Sequence, residues 1–202
     1  MSTRRVTIPS EFELEGILYE SDPTKAALLL HPHPLYGGSM ENNVVKVMDY
    51  ALRAKGFTTL RFNFRGVANS GGSYGDGEGE REDALKALQY LVSLVREDAY
   101  VVVSGYSFGA WIAIKLLEVT ERVNGLVLVA YPFSSCGRPE LGRFTGDLIL
   151  LGALSDEICP CDDLLSLYRA FPHPTKHLKL IPSSHFFWGK EKEIMDFLLD
   201  VF

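Results

Sequence analysis

The chain has 202 residues, a formal net charge of −6 and 47% hydrophobic residues. That apolar share excludes a disordered polymer and suits one core of ordinary size, so a single domain over residues 1–202 is expected. The acidic balance, with no basic cluster, argues against nucleic acid and against an anionic membrane, since both demand a positive footprint.

Arg4 and Arg5 open the chain but are followed by Thr7, Pro9, Glu11 and Glu13. A secretory leader needs an apolar run there, so none is expected, and no stretch reaches the roughly 18 apolar residues of a membrane span. Residues 4–8 and 12–19 are short extended segments separated by Pro9-Ser10, which predicts an antiparallel hairpin at a sheet edge. Residues 26–31 form a continuous apolar run, as in a strand covered on both faces, and 58–63, 100–104, 126–130, 147–152 and 178–181 follow it. Between them, apolar residues at helical spacing predict helices over 42–55, which stops at Gly56, and over 81–96. Residues 110–118 are too long for a strand and read as a buried helix, and weaker helical patterns lie near 161–170 and 189–201. Alternation of this kind predicts an α/β fold with a mainly parallel sheet, an antiparallel N-terminal hairpin and helices on both faces.

In such sheets chemistry gathers beyond the carboxyl ends of the strands. Gly105-Tyr106-Ser107-Phe108-Gly109 joins a predicted strand to a predicted helix. In that context G-x-S-x-G is a nucleophile elbow, a turn so tight that the residues two away from the serine must lack side chains. A serine is a weak nucleophile and needs a histidine base, which needs a carboxylate to fix its tautomer, and in this arrangement the order is Ser, acid, His. Asp156 lies in the loop leaving the 147–152 strand. Its rivals are Glu157, Asp162 and Asp163, but the last two follow Pro160 and open a helix, where acids are favoured anyway. His185 lies in the loop after the last strand, whereas His173 precedes that strand and His177 belongs to its opposite end. Ser107, Asp156 and His185 are therefore the expected nucleophile, acid and base.

An acyl-transfer site also needs two N–H groups aimed at the developing oxyanion. One belongs to Phe108, the residue after the serine, and the other to the loop His31-Pro32-His33-Pro34-Leu35-Tyr36-Gly37-Gly38. The prolines have no N–H, which leaves His33, Leu35 and Tyr36; Leu35 is the expected donor. His31-x-His33 is also compatible with a metal, yet no further ligand lies nearby in sequence, so a structural role and no metal or cofactor are expected. After the 58–63 strand, the glycines of residues 66–79 match neither a dinucleotide nor a phosphate-loop pattern. Glu78, Glu80, Glu82 and Asp83 are read as complements to the dipole of the helix they open, with a calcium loop as the alternative, and Arg65 as a brace for the neighbouring loop. Cys136, Cys159 and Cys161 cannot all pair internally and read as reduced thiols of a cytoplasmic protein, with zinc as the alternative.

His31–Gly38, Arg61–Val67 (Arg-Phe-Asn-Phe-Arg-Gly-Val) and Gly105–Gly109 together resemble the α/β-hydrolase superfamily, and within it the small dienelactone-hydrolase-like enzymes. The resemblance spans nearly the whole chain and implies the α/β-hydrolase fold, with Ser107, Asp156 and His185 as nucleophile, acid and base and the N–H groups of Leu35 and Phe108 as oxyanion donors. One departure is Ala68-Asn69, where the pattern has glycine and then a short spacer before Ser70. Only residues 131–146 separate two strands where larger relatives insert a cap, so no cap domain is expected and the cleft should be open. Tyr36, Phe133, Phe186 and Phe187 are the expected substrate contacts, with Phe144 and Trp188 as further candidates and Arg138 and Arg143 as solvated loop residues. The implied activity is cofactor-independent hydrolysis of a small-molecule carboxylic ester or thioester. A non-catalytic binding protein on the same fold, or an acyltransferase or peptidase using the same three residues, are the alternatives.

Overall fold

The structure is a computed structural model that describes residues 2–142, 144–172 and 175–202. Eight strands form one sheet: β1 Ser2–Ile8, β2 Leu14–Glu20, β3 Asp22–Leu30, β4 Phe57–Phe62, β5 Tyr100–Tyr106, β6 Gly125–Val129, β7 Asp147–Ala153 and β8 Lys176–Ile181. Their order across the sheet is β1-β2-β4-β3-β5-β6-β7-β8. β2 runs antiparallel to β1 and to β4, and every other pair is parallel. The hairpin and the parallel remainder agree with the apolar runs, although β8 starts at Lys176, so His177 lies inside the strand.

The helices are α1 Asn43–Ala54, α2 Glu78–Val92, α3 Phe108–Leu116, α4 Phe133–Cys136, α5 Cys161–Ala170 and α6 Glu191–Val201. α1 packs against α6 and α2 against α3, one pair on each face. Asn42 caps α1 by accepting the Val44 N–H at 2.9 Å, as its position before the apolar stripe demands. α2 begins three residues before the expected start because Glu80 turns back to accept the Gly77 N–H at 2.8 Å, satisfying an amide that the helix start leaves open. α4 has only four residues, too few to show a helical periodicity in the sequence.

The apolar end of β3, from Ala26 to Leu30, and nearly every residue of β4 to β7 are buried, as continuous apolar runs require. Within them the chain leaves β3 for β4 on one side and returns to β5 on the other, so the strand order reverses at β3. Leu30 pairs in register with Gly105 there, which sets the loop after β3 beside the elbow after β5. At the far side Ala153 pairs with Ile181, and the Ser155 N–H donates to the Ser183 carbonyl at 3.0 Å. The acid loop and the histidine loop therefore leave the sheet side by side.

Candidate active site

Ser107 sits between β5 and α3 at φ 53° and ψ −116°, a conformation that an L-residue occupies only under strain. The turn closes because its glycines have no side chain. A Cβ at Gly105 would lie 2.2 Å from the Gly109 carbonyl oxygen, and one at Gly109 would lie 2.3 Å from that of Leu30. The Ser107 N–H is tied to the Val129 carbonyl at 2.9 Å, which presents the side chain above the sheet.

His185 bridges the other two expected residues. Its Nε2 lies 2.9 Å from Ser107 Oγ and its Nδ1 lies 2.8 Å from Asp156 Oδ2. Asp156 and His185 are both buried. The second carboxylate oxygen, Asp156 Oδ1, accepts the N–H groups of Ile158 and Cys159, each at 2.9 Å. A carboxylate held from behind by two amides keeps one oxygen free for the imidazole. Nδ1–H then donates to Asp156, Nε2 is left as the acceptor, and the serine hydroxyl donates to it. The rivals stand apart. Glu157 contributes its backbone carbonyl to the Ser134 hydroxyl, Asp162 and Asp163 lie in the first turn of α5, and His173 lies outside the described residues.

Sequence reasoning missed one support. Tyr106, buried beneath the elbow, donates its hydroxyl to the His185 carbonyl at 2.8 Å and lays its ring 5.6 Å from the imidazole. A tyrosine between the glycine and the serine of the elbow is the only sequence sign of it.

The loop after β3 departs from expectation at one atom. The Leu35 N–H is directed to His33 Nδ1 at 3.2 Å, and the Tyr36 N–H to the His33 carbonyl at 3.1 Å. Of the three candidate donors, His33 alone keeps an N–H without an acceptor among the described residues. The Phe108 N–H opens α3 and is one of the amides that a helix start leaves free. The rings of His33 and Phe108 meet at a tilt with centroids 4.8 Å apart, which keeps the two residues next to one another.

His31 has a structural place. It is fully buried, accepts the Phe64 N–H on Nε2 at 3.0 Å and directs Nδ1 to the Pro32 carbonyl at 2.6 Å. Both histidines of the loop spend their ring nitrogens within the protein, and the described residues contain no cluster of three metal-ligating side chains. Burial pushes the His31 pKa down to about 4 from an ordinary 6.5. Between those values the unfolded chain binds the proton and the folded chain does not, so stability rises with pH across the interval. This contribution is complete above pH 6.5 and is lost as the pH falls toward 4, by about 3 kcal/mol at ~1.4 kcal/mol per unit. Urea midpoints should fall over that range, and the fall should be shallower in His31→Gln; equal slopes would refute the assignment.

Arg65 braces the loop as expected, its guanidinium donating to Asp83 at 2.9 and 3.1 Å. Ala68 occupies φ 50°, the left-handed region where the family pattern has glycine, and the neighbouring Asn69 side chain donates to Glu15 at 3.1 Å.

The expected substrate contacts divide. Tyr36 is 87% and Phe186 56% exposed, and Trp188 is 72% exposed beside them in the histidine loop. Phe133 is nearly buried against Tyr131. Phe187 does not border the cleft at all. The backbone turns to φ 53° there and drives the ring into the core, edge-on to Tyr106 at 6.2 Å. Phe144 stacks on Phe171 at 6.1 Å and lines a cavity of about 1010 Å³ together with Asn124 and Gly146, at the opposite end of the sheet. That cavity holds no serine–histidine pair among the described residues, so it is not where the reactive groups converge. Arg138 reaches the Ser166 carbonyl at 3.4 Å, and Arg143 lies outside the described residues.

No helix among the described residues is long and apolar enough to cross a membrane. Among the described residues the loop between β6 and β7 carries only the short α4, so no cap domain is inserted there.

The chain shares 33% identity over 187 residues with an uncharacterised protein of Rickettsia prowazekii, covering 87% of this chain and 79% of that one. Its structure superposes on an α/β serine hydrolase homologue from Coxiella burnetii with a TM-score of 0.87 at 29% identity, covering 99% of this chain and 97% of the other. It superposes on a serine hydrolase without a lid from Xanthomonas campestris with a TM-score of 0.84 at 27% identity, covering 100% and 94%. The sequence model of the alpha/beta hydrolase domain matches residues 25–148, which span β3 to the start of β7 and include the elbow. With the reversal of strand order at β3 and the strained serine at the end of β5, that match places the chain in the α/β-hydrolase family.

Proposed function

We propose that the protein is a serine hydrolase that cleaves a carboxylic ester or thioester through an acyl-enzyme on Ser107. The observation that carries this reading is the bridge made by His185, 2.9 Å from Ser107 Oγ and 2.8 Å from Asp156 Oδ2. Ser107 Oγ attacks the carbonyl carbon while its proton passes to His185 Nε2, and the imidazolium is stabilised by Asp156. The oxygen that gains the charge lies toward the Phe108 N–H and the His33 N–H, the second replacing Leu35 because the Leu35 N–H is already spent. Collapse expels the alcohol or thiol, which takes the proton from Nε2. Water, deprotonated by the same nitrogen, then releases the acid and restores the serine.

The rim supports a neutral, apolar acyl or alkyl group. Leu35, Tyr36, Leu154, Ile158, Phe186 and Trp188 are exposed on loops at the carboxyl ends of β3, β7 and β8. The unpaired cysteines Cys136, Cys159 and Cys161 fit a cytoplasmic setting.

Fluorophosphonate labelling followed by peptide mass analysis tests the assignment. The expected result is one adduct, on the peptide carrying Ser107. Labelled protein should also be dead toward p-nitrophenyl esters, and turnover should rise with acyl length over a graded panel. An unlabelled Ser107 would overturn the mechanism.

A further inference from the structure

Tyr74 lies in the glycine-rich stretch between β4 and α2, and no step of the reaction above uses it. Its hydroxyl is 3.3 Å from His33 Nε2, and its ring lies 5.1 Å from the His33 ring and 6.1 Å from that of Phe108. Since His33 Nδ1 accepts the Leu35 N–H, a neutral imidazole must carry its proton on Nε2, and Nε2–H donates to the tyrosine oxygen. Burial keeps His33 below its ordinary pKa and therefore neutral at pH 7. The ring is thus gripped at both nitrogens, by its own loop on one side and by Tyr74 on the other.

Tyr74 is in turn fixed from below. Glu80 is fully buried, and its carboxylate accepts the Gly75 N–H at 2.9 Å and the Gly77 N–H at 2.8 Å. A buried carboxylate is tolerated only where its lone pairs are met, so the segment following Tyr74 has little freedom to move.

We propose that Tyr74 is a positioning residue for the oxyanion site, directing the His33 N–H through the His33 ring, with Glu80 holding the segment that carries Tyr74. This inference rests on the serine-hydrolase reading and goes beyond it. An N–H aimed where charge develops matters in the transition state more than in the bound substrate, so loosening it lowers kcat and spares KM.

Tyr74→Phe keeps the ring and deletes the oxygen. For p-nitrophenyl butyrate, kcat is expected to fall about 10-fold, a fraction of the cost of losing a whole oxyanion donor, with KM within about twofold of wild type. Long-range ¹H–¹⁵N spectra should show His33 as one tautomer in the wild type and as a mixture in Tyr74→Phe. His33→Asn retains an acceptor for the Leu35 N–H and cannot reach Tyr74, so adding Tyr74→Phe to it should cost nothing more. Additive losses, or an unchanged kcat in Tyr74→Phe while Ser107 still takes the fluorophosphonate, would overturn this inference alone. Failure of wild-type Ser107 to take the label would overturn both it and the reading beneath it.

Discussion

Ser107→Ala is expected to lower kcat on a p-nitrophenyl ester by about 10⁶-fold, the scale on which loss of an activated serine acts in a hydrolase of this kind. The chain should still fold, because Oγ makes only its bond to His185 and the elbow is held by the Ser107 N–H and by the absent side chains of Gly105 and Gly109. Ser107→Gly provides the internal control. Both variants lack the nucleophile, but only glycine is at ease at φ 53° and ψ −116°. Ser107→Gly should therefore be more stable than Ser107→Ala by about 1–3 kcal/mol, the strain commonly stored in such backbone. Urea denaturation of the two side by side reads the difference. Residual turnover within roughly a hundredfold of wild type would remove Ser107 from the mechanism.

Asp156→Asn has the second largest expected effect, about 10⁴-fold in kcat, the cost of the wrong histidine tautomer in serine proteases. The surroundings of Asp156 leave the replacement little choice. Two N–H groups, from Ile158 and Cys159, converge on one of its oxygens at 2.9 Å. An asparagine must turn its carbonyl to them and its NH₂ to His185, so Nδ1 becomes the acceptor and Nε2 carries the proton that now confronts Ser107 Oγ. The amide is isosteric, and the melting temperature should move by only a few degrees. A variant with unaltered kcat at neutral pH would show that Asp156 does not set the tautomer, and Glu157 would be the next residue to replace.

Much of the fold was legible because its signals are local. Continuous apolar runs mark strands covered on both faces, and the glycines of the elbow announce a turn that no other residue fits. Ser107, Asp156 and His185 could be singled out because chain order and strand ends restrict where such groups can stand, and these are the side chains that the fold brings within hydrogen-bond reach. Legibility stopped where a direction depends on one dihedral angle or on a distant partner. The prolines narrowed the oxyanion donors to three, but which amide stays free follows from the turn of Leu35 onto the His33 ring. Phe187 reads as a cleft aromatic until its positive φ swings it into the core. Phe144 lies in the loop from which a cap would grow, yet pairs with Phe171 at the far end of the sheet. Tyr74 meets a histidine 41 positions earlier, and no spacing rule joins them.

The lack of an inserted cap bears on what the proposed acyl-enzyme would meet. With only α4 between β6 and β7 among the described residues, no inserted cap would enclose an acyl group on Ser107 formed as proposed. Without a cap to close, nothing there would select water over another nucleophile, and the partition between hydrolysis and transfer to an alcohol would follow their relative concentrations at the rim. Substrate exchange likewise waits for no gate, and progress curves should begin without a lag. The protein would then discriminate through which carbonyl its apolar rim can hold against Ser107, and the medium would choose the product.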